Sequence, residues 1–99
     1  MTLDEFLAGL AKDDPPEHLS VPLRALWIEA QGDWDRAHRL VQDDPSREAA
    51  WVHAYLHRKE GDLGNARYWY SRANRAPASG SLEVEWRDIA EALLASACE

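Results

Sequence analysis

The chain contains an internal repeat. Gly32-Asp33 returns as Gly61-Asp62, 29 residues later. At the same offset Ala25 matches Ala54, Leu26 matches Tyr55 and Trp27 matches Leu56. Beyond the turn, Trp34 matches Leu63, Ala37 matches Ala66, Leu40 matches Trp69 and Val41 matches Tyr70. The last four pairs recur at i, i+3, i+6 and i+7, the stripe that a helix buries. The repeated alanines mark places where two helices approach too closely for a larger side chain. Each copy therefore reads as two helices joined by a Gly-Asp turn.

The rest of the chain divides in the same terms. Thr2 and Glu5 form a capping-box pair that opens a first helix over 3–12, with Leu3, Phe6, Leu7 and Leu10 at helical spacing. Asp13-Asp14-Pro15-Pro16 ends it. A second helix runs from Leu23 to Gln31, and Pro22 lies in its first turn or marks a break. The third starts after Asp33 and stops before Pro45. Ser46 caps a fourth that runs to Glu60, and a fifth covers about 63–75 and closes at Pro77. Ser81 caps a last helix over 82–97, with Leu82, Trp86, Ile89, Leu93 and Ala97 as its stripe. No strand is expected, so the chain is read as a single all-α domain over 1–99.

The motif positions resemble the tetratricopeptide repeat. The second copy, 46–77, carries them best, with Ala54, Gly61, Asp62, Ala66, Tyr70, Ala73 and a proline at Pro77. The first, 21–44, has Asp44 where an alanine belongs, and Pro45 cuts it to a spacing of 29 where the family uses about 34. Tyr68, Trp69 and Tyr70 also give the second copy a look of the related Sel1-type repeat. The resemblance implies a superhelix of antiparallel helix pairs. Two units fall short of the roughly three that bury a continuous core. Helices 3–12 and 82–97 are therefore expected to cap the row, with self-association through an open end as the other solution.

Charge and composition narrow the function classes. The net charge is −7, and an acidic chain gains little from phosphate neutralisation, so no nucleic-acid partner is expected. No apolar run approaches the roughly 18 residues of a membrane span, and the acidic N-terminus lacks a signal-peptide layout. A cytoplasmic location is the expectation. Cys98 is the only cysteine, which excludes an internal disulfide and a cysteine-rich zinc site. The five tryptophans are read as core residues.

Two sets of residues are candidates for function. His53 and His57 lie one turn apart with Glu60 on the same side, opposite the arc of Trp51, Val52, Ala54, Tyr55 and Leu56. Imidazoles at i and i+4 suit a metal ion, and His38 on the preceding helix can supply another nitrogen. The competing reading makes the histidines hydrogen-bonding residues of a helix interface. The second set lies in the basic stretch 45–80, which carries six basic and three acidic groups. There Arg58, Arg67, Tyr68 and Asn65 offer the aromatic and arginine chemistry of interface hot spots. They would flank a groove on the second and fourth helices and receive an acidic or C-terminal carboxylate peptide.

No serine elbow or glycine-rich phosphate loop is present, and the carboxylates lie mostly in caps and turns. No catalytic residue and no cofactor are expected. The sequence is therefore read as a non-catalytic scaffold for a peptide or protein partner. The alternative is a small metal-binding or enzymatic protein using His38, His53 and His57.

Overall fold

The computed structural model describes residues 1–11 and 14–97, and among them the chain is all helical. Its elements are α1 (Leu3–Gly9), α2 (Val21–Ala30), α3 (Trp34–Gln42), α4 (Arg47–Glu60), α5 (Leu63–Ala73) and α6 (Leu82–Ala97). Asp13, Cys98 and the side chain of Ala97 lie outside the described residues.

The Gly-Asp turns explain the repeat in backbone terms. Gly32 and Gly61 sit at φ of 94° and 89°, a left-handed region that glycine enters without steric cost. The Gly61 N–H donates to the Arg58 carbonyl and the Asp62 N–H to the His57 carbonyl, which satisfies the last carbonyls of α4. Gly32 and Asp33 do the same for Glu29 and Ile28. Each aspartate then starts the next helix. Asp33 accepts from the Arg36 N–H and Asp62 from the Asn65 N–H. One dipeptide thus stops a helix and opens the next, twice.

Three helix boundaries differ from the sequence reading. α1 closes at Gly9 rather than near residue 12; the Leu10 N–H turns back to the Leu7 carbonyl. Gly9 also has a packing role, because a Cβ there would fall 2.3 Å from the Trp27 ring. α2 starts at Val21, with Pro22 inside the first turn, where a missing N–H costs nothing. α5 stops at Ala73, where Asn74 takes a left-handed conformation and the Arg75 N–H closes on the Tyr70 carbonyl.

Burial follows the repeat offset. Ala25 and Ala54, Leu26 and Tyr55, Trp27 and Leu56, Ala37 and Ala66, and Val41 and Tyr70 are all buried. α4 is the central element. Val52, Ala54, Tyr55 and Leu56 are buried on one arc, and His53 and His57 are buried on the other, between α3 and α5.

The C-terminal helix does not sit at the end of a row. Residues 74–81 return the chain so that α6 lies across α2 and α4. Trp86, Ile89, Ala90, Leu93 and Leu94 enter the main core there. The Trp86 indole N–H donates to the Leu26 carbonyl, and Phe6 of α1 packs edge-on to Trp27 and tilted against Trp86. Each large apolar side chain fully buried this way stabilises the fold by about 1.5–3 kcal/mol. Polar contacts fix the crossing. Glu85 is buried and takes both the Arg58 guanidinium and the Tyr70 hydroxyl. No helix of the described residues is long and apolar enough to cross a membrane.

Candidate functional site

Helical geometry aims the three histidines at one point. On α4 the i, i+4 spacing puts the His53 and His57 rings one above the other, with centroids 4.8 Å apart and planes inclined by 27°. His38 projects from α3 onto the same place. Its Nε2 lies 3.0 Å from the His53 Nε2, and its ring centre is 5.2 Å from that of His57. One potential ligand atom from each histidine falls within 4.8 Å of the others. Glu60, one turn on from His57, accepts from His57 Nδ1 at 2.6 Å.

Tryptophans wall the cluster. Trp34 stacks on His38 with centroids 4.9 Å apart and is held by its indole N–H, which donates to the Leu56 carbonyl. Trp69 of α5 stacks on His53 at 3.9 Å. The sequence reading placed both indoles in the core. Their signal was available, since Trp34 is one turn before His38 on the same stripe of α3.

The electrostatics favour neutral rings. Burial, and then the neighbouring His38 and His57, push His53 down to about 4. Burial, and then His57, lower His38 as well. A neutral imidazole offers a lone pair, the state a metal needs. His53 is 3% exposed, and its Nδ1 has no hydrogen-bond partner among the described residues. The 3.0 Å contact between two Nε2 atoms requires one ring to donate and the other to accept, so the proton between them must leave if both nitrogens bind an ion.

The expected partner-binding residues are not brought together. Arg58 is turned to Glu85 of α6 and to the Gly80 carbonyl in the segment before it, and its side chain is only 16% exposed. Lys59 is similarly drawn onto the buried Glu29. Arg67, Tyr68 and Asn65 are exposed on α5. The Tyr68 hydroxyl accepts from Arg72 at 3.3 Å, and Asn65 bonds back to Asp62. The groove expected on the second and fourth helices is filled by α6, because the apolar face of α2 and α4 is buried under Trp86, Ile89 and Leu93.

No protein-family model matches this chain, and neither a curated protein nor a solved structure matches it.

Proposed function

We propose that this protein binds a divalent transition-metal ion through His38, His53 and His57. The observation that carries the reading is the convergence of three imidazole nitrogens from two helices within 4.8 Å. Imidazole donors suit zinc, copper and nickel and disfavour magnesium and calcium. Around a tetrahedral zinc ion, nitrogens about 2.0–2.1 Å from the metal stand roughly 3.3 Å apart. The His38 and His53 Nε2 atoms are already 3.0 Å apart. Glu60 supports the arrangement. By accepting from His57 Nδ1 it keeps the proton on that nitrogen and leaves Nε2 as the donor, the usual carboxylate–histidine–metal relay.

The scaffold beneath the site is, in this proposal, a pair of shortened tetratricopeptide-like units. The recurrence of the Gly-Asp turn and of the buried positions at an offset of 29 supports that reading.

Thermal melting with zinc, nickel and copper(II) tests the metal assignment. An ion at 100 times its dissociation constant adds about 2.7 kcal/mol, a rise on the order of 10 °C for a domain this size. Replacing His53 and His57 by glutamine should abolish the rise. Melting that ignores all three ions would rule the assignment out.

A second reading rests on α5. Leu63 occupies the position of Trp34, which α4 covers, yet it is 55% exposed, and Tyr68 is 54% exposed. Arg67, beside Leu63, would contact an acidic peptide lying across α5, with Tyr68 and Asn65 exposed on the adjoining faces, since α5 carries arginines and no acidic residue. Arg67→Glu should then weaken binding of a glutamate-rich helical peptide, read by tryptophan fluorescence. Equal binding by the variant would dismiss this surface.

A further inference from the structure

We infer that a cleft between α1, α2, α4 and α6 binds a small primary amine with an apolar body, whose ammonium takes the place of Lys59 on the buried Glu29. The cleft measures about 380 Å³ and lies on the Tyr55 arc of α4, away from the histidines. Leu7, Leu10, Tyr55 and Trp86 give it apolar walls, and Glu29 and Lys59 line the same space. Glu29 is the most buried charge there, with a side chain 2% exposed. Among the described residues its carboxylate has a single partner, the Lys59 ammonium.

The other buried carboxylate among the described residues, Glu85, is held differently. Arg58 and the Tyr70 hydroxyl both bind it, and the Arg58 side chain is itself largely buried. That network is closed. Lys59 is 44% exposed, a long side chain that reaches from the surface to one oxygen of Glu29. Its ammonium can return to water while its stem stays at the surface. Glu29 cannot follow, and a buried carboxylate left without a cation is strongly unfavourable. This asymmetry selects the ligand's charge. An anion would have to draw Lys59 onto itself and would strand Glu29. A neutral molecule leaves the pair intact and gains only apolar contact. An ammonium exchanges one ion pair for another, and its apolar body then covers Leu7, Leu10 and Trp86.

Calorimetric titration of the whole protein with 2-phenylethylamine at neutral pH tests the site. 3-Phenylpropionate and 2-phenylethanol carry the same body with a negative and a neutral head. The expected result is one equivalent of amine, bound roughly tenfold or more tightly than either of the others. Lys59→Ala should tighten amine binding, because the competing ammonium is gone, and Glu29→Gln should abolish it. Should Glu29→Gln fail to fold, the three probes on the wild type still decide. Equal binding of all three, or no saturable amine binding up to about 10 mM, would overturn the inference. A folded Lys59→Ala protein that binds the amine no more tightly than the wild type would overturn it as well.

Discussion

The two helix-pair units share a backbone plan and differ in what they bury. At the offset of 29, His53 and His57 of α4 correspond to Arg24 and Ile28 of α2, and Trp69 of α5 corresponds to Leu40 of α3. Ile28 and His57 are both buried, at 2% and 6% exposure. The first unit thus shows that an aliphatic side chain serves this position in the packing. A buried imidazole at position 57 has to be desolvated, a cost that Ile28 does not carry, whereas at the other position each unit holds a buried unpartnered nitrogen, Arg24 Nε in the first and His53 Nδ1 in the second. The second unit accepts that cost at His57, places His53 one turn before it and receives a third histidine from α3. The difference points to a requirement beyond folding.

The largest effect separates covered and open faces. Trp34→Ala, beneath α4, should cost roughly 3 kcal/mol in urea unfolding, whereas the equivalent Leu63→Ala on exposed α5 should stay within about 0.5 kcal/mol. Similar losses at both sites would show that something covers α5 in solution. Next, saturating zinc should stabilise the wild type by about 2.7 kcal/mol at 100 times the dissociation constant. A variant carrying the first unit's residue, His57→Ile, should show none of that gain.

Acid supplies the third effect. His53 is held at about 4, below its ordinary 6.5, so the unfolded chain takes up a proton before the folded one as pH falls. Stability from neutral His53 is therefore complete above roughly pH 6.5 and is lost between there and about pH 4. The loss in metal-free protein is on the order of 2–3 kcal/mol. The lowered His38 acts in the same direction. Denaturant melts at pH 7 and pH 4.5 would read it, and His53→Gln should flatten the dependence. The smallest effect tests where the units agree. Gly32→Ala and Gly61→Ala should each cost about 1–2 kcal/mol, and by similar amounts, since both sit at positive φ with open space around them.

The sequence carried the local fold well because its punctuation has simple physical causes. The Gly-Asp dipeptides, the Thr2–Glu5 capping box and the Ser46 cap all act within a few residues. The position of α6 was not legible in the same way. Its stripe of Trp86, Ile89 and Leu93 announces a buried face but not the partner of that face, which is chosen by long-range contacts such as Trp86 to Leu26 and Arg58 to Glu85. The same gap misplaced the groove.

For the site, the i, i+4 spacing brought out His53 and His57, and adjacency of the helices brought in His38. The walls formed by Trp34 and Trp69 depend on how α3 and α5 flank α4, and no spacing within one helix encodes that. Arg58 looked available because a charge on a helix reads as solvated until a buried carboxylate such as Glu85 is found beside it.

In the proposed metal site the second unit buries histidines to hold an ion. Calorimetric zinc titration of the metal-free wild type and of His57→Ile tests it most directly, with the melting temperature of each recorded before zinc is added. The expected result is one equivalent bound by the wild type, none by the variant, and a metal-free variant that melts no lower than the wild type. A wild type that gives no binding heat, or a variant that binds zinc as well as it does, would contradict it.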